Sequence, residues 1–163
     1  MLLKDKNSGQ NIASDFEVVY GSSAIVAALG GATLLNINRL ENDFEKGALT
    51  RKGLPKKVAL HLQALLKLTG QEMSEMLDIS YRTYQRKKDN DLLGLYPSEQ
   101  MIEIAEVIAQ ATNIFGDMDT ALEWLNTPIL GLNGQKPVSF LDNTFGIRLV
   151  RQALGRLEHG IYA

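Results

Sequence analysis

A chain of 163 residues with 45% apolar content fits one compact unit or two small ones and can bury a core. With no cysteine and only His61 and His159, it excludes disulfides and thiolate chemistry and argues against a metal centre built on histidine pairs. The net charge of −2 hides an uneven distribution: residues 1–50 hold four basic and six acidic side chains, residues 51–88 nine and three, and residues 89–163 four and ten.

Residues 1–14, MLLKDKNSGQNIAS, read as a mobile start. The run AIVAALGG that follows SDFEVVY is too short to span a bilayer and lacks the basic flank of a signal peptide, so a soluble, cytoplasmic protein without membrane contact is expected. Strand patterns are scarce and helical spacing prevails, which predicts an all-α fold. Helices are expected over 22–29, 33–46, 56–67, 71–77, 81–88, 97–115, 118–126 and 145–159. Val58, Leu62, Leu65 and Leu66 form one apolar stripe; Met101, Ile104, Ala105, Ile108, Ala111 and Phe115 form another. Thr69 and Glu72 have the spacing of a capping box, Pro97 opens a helix that Gly116 ends, and Asp117 can cap the next. Trp124, beside Ala121 and Leu125, reads as core.

The stretch TPILGLNGQKPVSFLDN, with Pro128, Gly131, Gly134 and Pro137, reads as a connecting loop. In the last helix Ile147, Val150, Leu154 and Leu157 recur at helical spacing and give it one face to bury. The opposite face carries Arg148, Gln152, Gly155, Arg156 and His159, with Arg151 at the margin. These arginines either offset the helix dipole near its C-terminus or form a partner surface. The chain leaves through RLEHGIYA, an apolar and aromatic tip where termini are usually polar.

The basic middle is either a solvated face or a polyanion-binding surface, and TGQEMSEMLDISYRTYQRKK supports the second. It has the layout of a helix-turn-helix. Ser74 is small where two helices approach closely, and Asp78 occupies a turn position open to the left-handed conformation. Ile79 anchors the turn, Ser80 caps the second helix and Tyr84 packs inward. Tyr81, Arg82, Gln85, Arg86 and Lys88 are left facing outward. Arginine can fork onto guanine, glutamine can pair with adenine, and either cation can neutralise phosphate. Gln71 lies near the first helix's N-terminus, where backbone N–H groups favour phosphate. A purely structural helix pair with a solvated basic face is the alternative.

The segments RKGLPKKVALHL, ISYRTYQRKK and IFGDMDTALEWLNTPILGLNGQKPVSFLDNTFGIRLVRQALGRLEHGIYA resemble, over most of residues 51–163, the MbcA/ParS/Xre antitoxins of bacterial type II toxin–antitoxin pairs. Agreement is densest at Gly53, Leu54, Pro55, Ser80, Thr83, Arg86, Phe115, Gly116, Ala121, Trp124, Leu125, Gly134, Pro137, Gly146 and the terminal RLEHGIYA. Asp78 stands where the family commonly has glycine. The resemblance implies an Xre-like helix-turn-helix DNA-binding domain over 51–115 and a small helical C-terminal toxin-binding domain over 116–163. Residues 1–50, which match the family only loosely, are expected to be an N-terminal helical segment that could pair protomers. Implied partners are a RES-domain toxin that consumes NAD, operator DNA and a second copy of the chain, with repression of its own operon.

The expected DNA-binding set is Gln71, Ser80, Tyr81, Arg82, Thr83, Gln85, Arg86 and Lys88. The expected toxin-binding set is Arg148, Arg151, Gln152, Arg156, Glu158, His159, Gly160, Ile161, Tyr162 and Ala163. Glu158 to Ala163 would cover the toxin's NAD cleft, the alternative being that Ile161 and Tyr162 fold back onto their own helices. No cofactor is expected. The chain lacks a phosphate-binding glycine loop, and its carboxylates read as caps or helix surface, so no enzymatic activity is expected. A stand-alone transcriptional regulator, or an interaction module whose helix-turn-helix has lost DNA binding, are the competing readings.

Overall fold

The longest apolar stripe in the sequence becomes the axis of the molecule. In a computed structural model describing residues 23–160, helix α7 (Leu95–Phe115) buries Met101, Ile104, Ala105, Ile108 and Ala111, and other helices pack around it. The expected mobile start, the first residue of the helix expected at 22–29, and Ile161, Tyr162 and Ala163 lie outside the described residues. The described residues contain helices, two 3-10 turns and two isolated bridges, with no strand.

The chain enters through α1 (residues 23–28) and α2 (Ala32–Leu35), then α3 (Asp43–Lys52) runs against α7. A single helix over 33–46 does not form. Asn36 takes the left-handed conformation (φ 56°) and closes α2 after four residues. Asn42 then opens a new helix by accepting the Glu45 N–H on its side chain at 3.0 Å. α3 therefore runs through residue 50, where the sequence places the edge of the N-terminal segment.

Three short helices follow: α4 (Lys56–Leu65), α5 (Gly70–Met76) and α6 (Tyr81–Arg86). After α6 the chain returns across the start of α4, where Leu93 N–H donates to Leu54 C=O at 2.8 Å. Ser98, fully buried at the head of α7, accepts Leu54 N–H at 2.9 Å and donates to Leu93 C=O. At Gly53 (φ 92°) a Cβ would stand 2.5 Å from the Leu93 carbonyl oxygen, so the close crossing requires glycine.

Gly116 (φ 89°) ends α7 in the left-handed region, and Asp117 caps α8 (Met118–Leu125), accepting Thr120 N–H at 2.7 Å. Trp124 is half-buried against the core and tilted against Phe115, ring centroids 5.8 Å apart. The expected loop holds 3-10 turns over Leu130–Leu132 and Pro137–Phe140, the latter packed on α8 and on α9 (Thr144–Glu158). One continuous core joins Ile25 to Leu154, including Val58, Leu62 and Leu66 of α4 with its C-terminal turn and Ile147, Val150 and Leu154 of α9; Leu65 and Leu157 are half-buried.

Candidate nucleic-acid and partner interfaces

The Thr69 hydroxyl accepts Glu72 N–H at 3.2 Å while the Glu72 carboxylate accepts Thr69 N–H at 2.7 Å, so a complete capping box starts α5. Those bonds to Thr69 favour the charged carboxylate and hold the Glu72 carboxyl below its usual range. Ser74 is fully buried and donates to Gln71 C=O, letting α5 lie against α6. Asp78 turns the chain in the left-handed region (φ 52°), and half-buried Ile79 pins the turn to the core.

Ser80 caps α6 on Thr83 N–H at 3.1 Å and donates its own hydroxyl proton to Thr83 Oγ1 at 2.8 Å. Tyr84 is buried and donates to Gln63 Oε1 at 2.8 Å; burial pushes its phenol up to about 12, which keeps it a donor. With Tyr84 turned inward, periodicity leaves Arg82, Gln85 and Arg86 outward on α6. Among the described residues no hydrogen bond or ion pair engages these three side chains, so their donors are open to a ligand.

The other expected contacts divide. Tyr81 is partly exposed, with its ring against Gly70, where a Cβ would stand 3.2 Å from it; it helps lock α6 to the start of α5. Gln71 is exposed, and its amide donates to Glu75 Oε1 at 2.7 Å. α6 ends at Arg86, so Lys88 lies beyond the helix and is exposed.

The second surface belongs to α9. Asn143 caps it on Gly146 N–H at 3.0 Å, and Gly146 lies so close to the turn before it that a Cβ there would overlap the Phe140 carbonyl. Arg148, Gln152, Glu158 and His159 are exposed, as is Gly160 (φ 68°), where the described chain ends. Arg156 is half-buried and lies against Gly131. Arg151 turns the other way: its Nη2 lies 2.7 Å from Glu106 and 3.1 Å from Glu103 on α7.

Sequence reasoning missed three residues on this side. Phe145 is 74% exposed, Leu149 45% and Leu130 93%. Phe145, Leu149, Gln152 and Arg156 share one face of α9 by spacing, and Arg148 stacks on Phe145 with its guanidinium carbon 5.6 Å from the ring centroid. The available signal is that Phe145 and Leu149 stand off the stripe that the helix buries. An apolar face edged by cations is the composition of a protein-docking surface.

Residues 46–106 match the antitoxin Xre-like helix-turn-helix domain, and residues 110–160 match the antitoxin Xre/MbcA/ParS C-terminal toxin-binding domain. A protein named Antitoxin Xre from Photorhabdus laumondii is 30% identical over 118 residues, which cover 70% of this chain and 78% of that protein. Another Antitoxin Xre, from Yersinia enterocolitica, is 33% identical over 96 residues, covering 56% of this chain and 64% of that protein. No helix among the described residues is long and apolar enough to cross a membrane. With the two domains matched in order along α3 to α9, this chain belongs to the MbcA/ParS/Xre antitoxin family and is a binding protein, not an enzyme.

Proposed function

We propose that the protein neutralises a RES-domain, NAD-consuming toxin with its C-terminal segment and represses its own operon as a homodimer through the helix-turn-helix. The observation that carries the toxin-binding half is the face of α9: Phe145, Leu149, Arg148, Gln152 and Arg156 lie within the segment that matches a toxin-binding domain and lead toward the chain's end. On this reading Phe145 and Leu149 anchor the body of the antitoxin on the toxin, with Arg148, Gln152 and Arg156 around them. Glu158, His159, Gly160, Ile161, Tyr162 and Ala163 enter the NAD cleft. Arg151 acts from behind, fixing α9 on α7.

Arg82, Gln85, Arg86 and Lys88 supply base and phosphate contacts in the major groove, with Tyr81, Ser80, Thr83 and Gln71 shaping the edge of that surface. Operator contact is assigned to residues 51–115, toxin binding to 116–163 and a pairing role to 1–50, in the cytoplasm.

The test is co-expression with the neighbouring RES-type gene, comparing the full chain with one ending after Arg156, while following cellular NAD and co-purification. A truncated chain that still co-purifies but lets NAD fall supports the cleft-filling tail. Preserved NAD assigns inhibition to the α9 surface alone, and no complex with the full chain rejects the toxin-binding reading.

A further inference from the structure

Lys56 is placed against the interest of its own helix. It is the first residue of α4, and with Lys57 it sets two cations at the positive end of the helix dipole, with no acidic residue in that first turn. It is also buried, only 9% exposed, where lysine is rarely found unpaired. Among the described residues no carboxylate forms an ion pair with it.

What its ammonium meets accounts for both facts. Lys56 Nζ donates to the Lys87 carbonyl oxygen at 2.8 Å and sits 4.9 Å from the centroid of the Tyr84 ring. Lys87 is the C-cap of α6, so the charge serves the negative end of a neighbouring helix. Six residues make α6 too short to hold itself rigid through its own backbone bonds. The chain leaving it is also stapled to the head of α4: Lys56 N–H donates to Asp91 C=O at 2.9 Å and Lys57 N–H to Asp89 C=O at 2.8 Å. Val58, Ala59 and Leu62 fix α4 itself in the core.

We propose that Lys56 is a positioning residue for DNA recognition: its buried ammonium latches the C-terminal end of α6 to the head of α4 and sets the angle at which Arg82, Gln85 and Arg86 meet the bases. The inference rests on the DNA-binding reading above. Contacts to base edges need an exact approach, whereas contacts to phosphate tolerate small rotations. Loss of the latch therefore weakens specific binding more than non-specific binding.

The experiment is fluorescence anisotropy on the full chain across a salt series. It uses one duplex from the region upstream of the protein's own coding sequence and one scrambled duplex of equal length. Lys56→Met is expected to weaken the upstream duplex about tenfold while leaving the scrambled duplex and the salt slope unchanged. Lys88→Ala, beyond the end of α6, is the phosphate control and should weaken both duplexes alike and lower the slope by about one. Three results for Lys56→Met overturn the proposal: unchanged upstream affinity, equal loss on both duplexes, or a slope lowered by about one, which would make Lys56 a phosphate contact. A wild-type chain with no preference for the upstream duplex overturns the DNA-binding reading, and this inference with it. If Lys56→Met does not fold, Lys56→Gln keeps a donor on a shorter stem. It must show the same selective loss on the upstream duplex, and equal affinity to wild type rejects the latch.

Discussion

Arg151 of α9 reaches Glu106 in the middle of α7, Nη2 to Oε2 at 2.7 Å, and Lys46 of α3 pairs with the same carboxylate through its other oxygen. One little-exposed glutamate thus joins three helices. Glu106→Ala removes the carboxylate both cations share, leaving Arg151 only Glu103 and Lys46 only Asp43, and should cost about 2 kcal/mol, whereas Arg151→Ala, at a half-exposed position, should cost under about 1 kcal/mol. Urea unfolding of both variants checks the order. The Lys46 ammonium is lowered by burial, but its bond to Glu106 and the charges of Glu106 and Asp43 raise it overall above its usual range. Its contribution is therefore present below pH 10.5 and lost as pH rises through the raised value.

Gly146 admits no side chain, because a Cβ would run into the Phe140 carbonyl. Gly146→Ala should cost about 3 kcal/mol or more, through a displaced α9 or a displaced turn before it. Thermal unfolding reads the loss, and co-purification with the toxin should fall with it.

Phe145, 74% exposed, touches little of its own chain, so Phe145→Ser should change stability by no more than about 0.5 kcal/mol, while Leu149→Ser, at a 45% exposed position, should cost about 1 kcal/mol. As anchors of a docked toxin, each should weaken the complex by about 2 kcal/mol, roughly thirtyfold. Calorimetric titration of toxin into each variant separates the two quantities, and unchanged affinity would remove α9's apolar face from the interface.

Arg82→Ala with Arg86→Ala should lower the salt slope of DNA binding by up to about two and leave helix content unchanged, since neither guanidinium holds the fold. Unchanged affinity for the upstream duplex together with an unchanged slope would take both residues off the DNA.

His61 is partly buried, which lowers its imidazole below 6.5, although the Ala27 backbone bond pulls the other way. The unfolded chain then takes up a proton more readily than the folded one, so stability falls as pH drops from 6.5 toward the depressed value. His61→Leu should flatten that part of the stability profile in a pH series of urea melts. Glu72 and Asp117, held below their usual ranges chiefly by backbone N–H bonds from Thr69 and Thr120, lose their contributions at more acidic pH.

The parts of this molecule legible in the sequence are those decided within four residues. Thr69 with Glu72, Ser80 with Thr83 and Asp117 with Thr120 are local pairs, and each cap forms where its spacing places it. Tyr84 faces inward because helical periodicity, the turn and the cap leave it no other side. Asn42 with Glu45 carries the same local signal, but the apolar spacing across residues 33–46 competes with it. Only the left-handed Asn36 resolves the contest in favour of two helices.

The rest depends on partners far along the chain. Arg151 meets carboxylates 45 and 48 residues away, and Lys56 meets a carbonyl 31 residues away, so no spacing rule announces either. Phe145 and Leu149 are ordinary apolar letters in an amphipathic helix until the packing shows which face α7 leaves uncovered.

Helix α7 packs against α3 and α4, which precede it in the chain, and against α8 and α9, which follow it. A chimera joined near residue 110, taking its front from one antitoxin and its back from another, would inherit a helix whose two flanks were fitted to different neighbours. Recombination between relatives should therefore succeed only where α7 travels whole with the faces it covers, so a change of toxin partner is reached more easily by substitution on the outer face of α9 than by exchange of domains.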